Sequence, residues 1–186
     1  MASVLLPLAE GFEELEAVAL CDVMCRGGID VRLAYIEDEV HKELVTGANG
    51  ITIKADTSIN NVIVDDFDMI VLPGGWGGTY ALAENARVQE LLRQFKEKKL
   101  VGAMCAAPYA LKKAGVLGEK YTAYPGAVEE IDHPGYIDDQ KVVEDGNIIT
   151  SQGPGTAVCF GLAIVKRLVG EETAEQIKEG MLLGYC

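Results

Sequence analysis

The chain has 186 residues, of which 49% are hydrophobic, and this is enough for one well-packed domain spanning residues 1–186. It carries 29 acidic against 16 basic residues, a net charge of -13 and no lysine- or arginine-rich run, which argues against binding to nucleic acid. Because the first eight residues lack a basic segment and lead into an acidic stretch, we expect neither a signal peptide nor a membrane span. Five cysteines at irregular spacing fit a reducing compartment better than a disulfide framework, so we expect a cytoplasmic protein.

The first part of the chain predicts a strand, a helix and a second strand. Ser3–Leu8 is a short apolar run of the kind that forms a central parallel strand. From Glu14 to Arg26 apolar residues recur with a helical period, and Gly27 and Gly28 end the helix. Ile29–Ile36 is typical of the next strand, so these segments predict a first βαβ unit.

The middle of the chain continues this alternation after a less regular stretch. Val45–Ile53 predicts two short extended pieces around a turn, an antiparallel appendage. Met69–Leu72 predicts another apolar strand, and helical periodicity runs from Ala81 to Lys98. The alternation predicts an α/β fold with a flavodoxin-like, doubly wound, mostly parallel sheet sandwiched by helices.

Leu100–Pro108 predicts a buried strand that ends on Cys105 and turns at once into a helix. Ala103 and Ala107 are small, as a sharp strand-to-helix turn requires when it holds a nucleophile in a strained, exposed position. Such a turn favours a nucleophilic cysteine over one that serves as a small core hydrophobe. Lowering a thiol pKa by ~3 units takes about 4 kcal/mol, whereas a helix terminus supplies about 0.3–2 kcal/mol. The thiolate therefore needs a second partner.

The last third of the chain predicts five more segments. In order, they are a strand, a looser acidic connection, a hairpin and two helices: Tyr121–Tyr124, Ala127–Gln140, Val142–Thr150, Ala157–Leu168 and Thr173–Leu182. Sites in parallel α/β sheets form beyond the carboxyl ends of strands. Glu16, the Gly74-Gly75 pair and Cys105 all lie just after such ends, in the region where a site of this kind forms.

Four motifs in this sequence resemble the ThiJ/PfpI (DJ-1) superfamily. They are Glu10–Glu16 after the first strand, Leu72–Gly75, Ala103–Pro108 and Thr150–Thr156. Each motif alone is weak, but together they are specific, and the resemblance covers essentially the whole chain. The final helix and the Gly153–Thr156 segment are similar to the DJ-1 branch.

The resemblance implies a site built on Cys105 and Glu16. Glu16 occupies the position of the family's buried glutamate, which stays protonated and donates a hydrogen bond to the cysteine sulfur. The N–H groups of Gly75 and Ala106 are expected to stabilise the thiolate or an oxyanion. Many relatives carry a histidine near the nucleophile where this chain has Tyr124, so acid–base work falls on Glu16, with Tyr124 as a candidate auxiliary group.

A Cys–His dyad is not expected, because the two histidines, His41 and His133, lie in loop-like, solvated stretches. The protease-like branch has a histidine directly after the nucleophile, where this chain has Ala106. The His-x-Glu pair of class I glutamine amidotransferases is also missing from the sequence. We therefore expect neither a peptidase nor an amidotransferase.

Two functions of different classes remain open. In the first, the family's activities imply a cysteine-dependent, cofactor-independent glyoxalase or deglycase that converts a small dicarbonyl, methylglyoxal, to lactate under carbonyl or oxidative stress. In the second, the protein is a non-enzymatic redox sensor or chaperone that acts through oxidation of Cys105. Both functions use the same thiolate and neither needs a cofactor.

The other cysteines and the expected partner complete the predictions. Cys21 and Cys25 lie four apart on a helix with no second pair, so we expect no metal site there and assign them to a core or subunit interface. Cys159 is expected in the core and Cys186 as a free terminal thiol. The resemblance implies a homodimer with the helix around Leu15–Arg26 as its contact.

Overall fold

A computed structural model describes residues 1–37 and 43–186 of the chain. Strands are numbered in chain order: β1 (Ser3–Leu8), β2 (Asp30–Tyr35), β3 (Leu44–Thr46), β4 (Thr52–Lys54), β5 (Thr57–Ser58), β6 (Met69–Leu72), β7 (Leu100–Met104), β8 (Val142–Asp145) and β9 (Ile148–Ser151). Seven of them form one sheet in the order β5-β2-β1-β6-β7-β9-β8, which is parallel except for β8. β3 and β4 form the separate antiparallel pair that the sequence predicts.

Helices cover both faces of this sheet. They are α1 (Glu14–Arg26), α2 (Trp76–Glu84), α3 (Ala86–Lys98), α4 (Pro108–Ala114), α5 (Val128–Ile131), α6 (Ala157–Leu168) and α7 (Glu171–Gly180). Along β1, Leu6 packs in the core beneath α1 and α6, whereas Leu5 packs in the core beneath α3 and α4. Because both faces of each central strand are buried, these strands are almost entirely apolar, and the predicted sandwich is confirmed. Within the described residues no helix has both the length and the apolar character that a bilayer span requires.

Two predicted segments differ from the structure. The helix predicted from Ala81 to Lys98 is two helices, because the side chain of Asn85 accepts a hydrogen bond from the N–H of Val88 at 3.0 Å and caps α3. The strand predicted at Tyr121–Tyr124 is wrong, and only an isolated bridge to Tyr136 forms there. The backbone of this segment is instead bound by a side chain of the sheet, since Thr122 N donates to Oγ1 of Thr150 in β9 at 2.9 Å.

Cys159 and Cys186 form a disulfide, which joins α6 to the end of the chain. The prediction that Cys186 is a free thiol is therefore wrong, while Cys159 is buried as expected. Sequence spacing did not indicate this pair because the position of the terminal residues depends on how α7 packs against α6. The free cysteines in the described part of the chain are Cys21, Cys25 and Cys105.

Candidate active site

Cys105 occupies the sharp turn between β7 and α4 that the sequence predicts. Its φ angle of 61° lies in the left-handed region, which is uncommon for any residue but glycine. Two backbone hydrogen bonds hold it there, from Cys105 N to Ser151 O at 3.0 Å and from Tyr124 N to Cys105 O at 2.9 Å. Ala103 and Ala107 on either side are fully buried, so there is no room for larger side chains. The fold thus keeps one half-buried sulfur in a strained, fixed position at the end of a central strand.

Glu16 lies in the first turn of α1 and is completely buried beside this sulfur. Its Oε2 accepts a hydrogen bond from Gly74 N at 2.6 Å, whereas its Oε1 is buried without a hydrogen-bond partner among the described residues. A charged carboxylate oxygen in that position costs free energy, because neither water nor a donor solvates it. The geometry therefore favours a proton on Oε1, in a buried site that Glu16 shares with Cys105.

The pKa values of the two groups follow from this shared burial. Burial raises the pKa of Glu16 to about 7, against the opposing effect of the hydrogen bond from Gly74 N. Burial, followed by the negative charge of an ionised Glu16, raises the pKa of Cys105 to about 12, and N–H groups of Gly75 and Ala106 oppose that increase. When Glu16 is protonated, it no longer carries the negative charge that disfavours a thiolate at Cys105. The N–H groups of Gly75 and Ala106, which favour the thiolate, are still present. The site thus holds one negative charge, and a neutral Glu16 is the condition for a thiolate.

Gly74 and Gly75, directly after β6, bring these groups together. A Cβ atom on Gly74 would lie 2.6 Å from Cys105 Cβ and 2.7 Å from Glu16 Oε2, so only glycine fits between the two side chains. Gly75 has a φ of +85° and directs its N–H towards the sulfur. The sequence predicted the role of the Gly75 N–H, but it did not indicate that Gly74 N would bind Glu16. The sequence feature that could have indicated this contact is the pair of glycines directly after a predicted strand.

Replacing Gly75 with alanine is expected to destabilise the protein by about 3 kcal/mol or more, because the backbone is left-handed there and the new Cβ would lie 2.5 Å from Glu13 N and Gly11 O. Urea denaturation measures this loss as a lower midpoint. Gly155→Ala is the matched control, since no atom lies within 4 Å of its Cβ position. Equal midpoints for the two variants would contradict this description of the turn.

The structure connects Tyr124 to the site through its backbone. Its N–H donates to Cys105 O, but its side chain is 48% exposed, and within the described residues its hydroxyl has no hydrogen bond to Cys105. His133 is half-buried rather than solvated, with Nε2 3.0 Å from Gly118 O, and His41 lies outside the described residues. Acid–base chemistry at the sulfur therefore depends on Glu16.

Comparison with known proteins gives matches along nearly the full length. The model of the DJ-1/PfpI family matches residues 2–167. Protein dj-1beta of Drosophila melanogaster is 42% identical over 186 residues, which is 98% of each chain. A Caenorhabditis elegans protein named glutathione-independent glyoxalase DJR-1.2 is 37% identical, over 98% of this chain and 96% of that one.

Solved structures agree with these matches. The crystal structure of Drosophila melanogaster DJ-1beta superposes with a TM-score of 0.92 at 41% identity, covering 99% of both chains. The structure of oxidized Toxoplasma gondii DJ-1 superposes with a TM-score of 0.90 at 34% identity and covers 100% of both chains.

Proposed function

The chain belongs to the DJ-1/PfpI family, and on that premise we propose that it is a cysteine-dependent, cofactor-independent glyoxalase that converts methylglyoxal to lactate. The observation that carries the proposal is the proximity of Cys105 to a fully buried Glu16 whose Oε1 has no hydrogen-bond partner among the described residues. The C. elegans relative's name supports the same reaction class. A deglycase would use the same attack on dicarbonyl adducts of other molecules.

The first step forms a covalent adduct. The thiolate of Cys105 attacks the aldehyde carbon of methylglyoxal, a C–S bond forms, and the aldehyde oxygen takes up the negative charge and then a proton, giving a hemithioacetal. The N–H groups of Gly75 and Ala106, which oppose the rise in the pKa of Cys105, would also stabilise that oxyanion. Glu16 supplies the proton that a neutral carboxylic acid holds next to the sulfur.

The second step moves a proton between neighbouring carbons. The carboxylate of Glu16 takes the proton from the carbon bonded to sulfur and returns it to the former ketone carbon. The hydroxyl proton of the hemithioacetal moves to the former ketone oxygen, so that the adduct becomes a lactate thioester. Water then breaks the C–S bond, releasing lactate and the thiol of Cys105. One carbon is oxidised and its neighbour is reduced, and because only water is consumed no cofactor is needed.

The redox-sensor or chaperone function remains a second candidate, favoured by the half-buried, free thiol of Cys105 beside hydrogen-bond donors. Peroxide would oxidise this thiolate to sulfenic and then sulfinic acid, which the same N–H groups and Glu16 would bind. The Toxoplasma gondii relative has been solved in an oxidised form.

Lactate formation from methylglyoxal in a buffer free of glutathione tests the enzyme proposal. We expect turnover by the purified protein, and an unchanged rate for Cys25→Ser, which removes an exposed thiol on α1. Absence of lactate with both proteins would exclude methylglyoxal as a substrate and leave the redox function.

We also propose that α1 forms the contact of a homodimer. Leu15 and Val18 on α1 and Ile51 beyond β3 are large apolar side chains that are more than half exposed. Together they line an apolar surface cavity of about 620 Å³, whose walls include Val158 of α6. Apolar patches of this kind on a surface with a large net charge mark protein contacts, and a second copy would bury each patch against its equivalent.

Val18→Asp is expected to convert the dimer to a monomer, since a charge would be buried at the centre of that contact. Light scattering at micromolar concentration gives the mass of each variant. The control is Ile63→Asp, which introduces the same charge at an apolar side chain that is 62% exposed outside this patch. A wild-type protein that is already monomeric, or a dimeric Val18→Asp variant, would contradict the proposed contact.

A further inference from the structure

Two free thiols outside the catalytic site lie together on α1. Cys21 and Cys25 are one helical turn apart, so their side chains share a face of the helix. Neither takes part in the disulfide, and the proposed reaction uses neither of them.

The surroundings of this pair are mostly apolar. Both cysteines line a surface cavity of about 440 Å³ between α1, the sheet and β4, with five apolar side chains in its walls: Leu8, Ala17, Val18, Leu33 and Ile53. In the single chain Cys21 is half-buried and Cys25 is exposed, and the cavity shares Val18 and Asp22 with the surface proposed above as the dimer contact. The nearby carboxylates of Asp22 and Asp56 make the site favourable for a cation, although Asp22 is paired with Arg26 at 2.7 Å.

We propose that Cys21 and Cys25 bind one Cu(I) ion. Thiolates are soft ligands that select Cu(I), and a monovalent soft ion is satisfied by two of them. Tetrahedral ions such as Zn²⁺ need four ligands, and the described residues contain no group of three or more histidine, cysteine or acidic side chains placed to hold a metal. The sequence prediction of no metal site considered only such larger sets. The apolar walls would limit access of water to the ion.

Binding is an exchange of protons for the metal. Each thiol loses its proton as a Cu–S bond forms, so one Cu(I) displaces two protons and the product is a bis-thiolate complex with one negative charge. No electron is transferred.

Competition with the chromogenic Cu(I) chelator bicinchoninate tests the proposal. The background variant is Cys105→Ala, which removes the third free thiol of the described chain. We expect one Cu(I) per chain, an X-ray absorption spectrum with two sulfur neighbours, and a loss of affinity of about 100-fold or more for Cys21→Ser and for Cys25→Ser. Cys159→Ser/Cys186→Ser in the same background, which removes both disulfide sulfurs, is the matched control and should bind with unchanged affinity.

Unchanged stoichiometry and affinity in the double variant Cys21→Ser/Cys25→Ser would overturn the proposal, because the ion would then be bound elsewhere. So would a loss of less than tenfold in either single variant, since both sulfurs are required. Far-ultraviolet circular dichroism of the metal-free variants verifies that α1 is intact, and serine is close enough in size to cysteine for the helix to be kept.

Discussion

Glu16→Gln is expected to make the protein more stable at pH 8 and yet slow its turnover of methylglyoxal by about 10²- to 10⁴-fold. The stability effect comes from burial of a titrating group. Because the pKa of Glu16 is raised from 4.5 to about 7 in the folded protein, the folded state binds more protons than the unfolded state between these pH values. The free energy of unfolding of the wild type therefore falls as pH rises from 4.5 to 7.

Glutamine does not titrate, so the variant does not lose stability in this way as pH rises. The decrease in the free energy of unfolding of the wild type amounts to at most about 3 kcal/mol. Urea denaturation at pH 4.5 and pH 8 should give a difference between the two proteins that grows with pH. The activity falls because an amide cannot carry the proton from one carbon to the next. Glu84→Gln, which changes an exposed carboxylate at the end of α2, is the control and should alter neither property. A Glu16→Gln variant with wild-type turnover would show that Glu16 is not the proton carrier.

Cys105→Ser is expected to lower the rate of lactate formation on the order of 10³-fold or more while the fold is retained. A serine hydroxyl at this turn has no general base to activate it, because Glu16 serves as a neutral donor and no histidine lies beside it within the described residues. The lactate assay gives the rate, and mass spectrometry of the peptide that contains residue 105 detects peroxide products in the wild type. Cys21→Ser is the control for removal of a half-buried thiol.

A Cys105→Ser variant that keeps more than a tenth of the wild-type rate would contradict covalent catalysis by this sulfur. Loss of lactate formation in the Cys105→Ser variant, together with rapid peroxide oxidation of Cys105 in the wild type, would be consistent with both candidate functions, because they use the same thiolate. Oxidation without any lactate from the wild type would leave the sensor function alone.

The central strands and the turn at Cys105 were predictable because local sequence determines them. A strand with two buried faces must be apolar throughout, and a tight turn must be flanked by small residues, as Ala103 and Ala107 are. The contact between Glu16 and Cys105 had no local signal, since it depends on how α1 and β7 meet across the sheet. The family resemblance supplied it, and the hydrogen bond from Gly74 N to Glu16 then shows how the fold enforces it.

The errors have equally specific causes. Glu14 begins the predicted helix without any sign that it is buried, yet its Oε1 accepts a hydrogen bond from Asn49 N at 2.6 Å, which fixes the β3–β4 turn against α1. A helical period passes through Asn85 without interruption, although the side chain of that residue caps a new helix. In both cases a polar side chain binds backbone groups, and hydrophobic periodicity carries no information about such bonds.

The pH dependence of Cys105 alkylation by iodoacetamide, followed on its own peptide by mass spectrometry, tests the central claim that this sulfur is a thiolate beside a protonated Glu16. The claim predicts alkylation that is already rapid at about pH 6, where Glu16 with its raised pKa of about 7 still holds its proton. A rate that is slow at neutral pH and rises only above about pH 9 would contradict it. That result would mean that Cys105 is an un-ionised thiol next to a charged carboxylate, with its pKa raised as burial and that charge require.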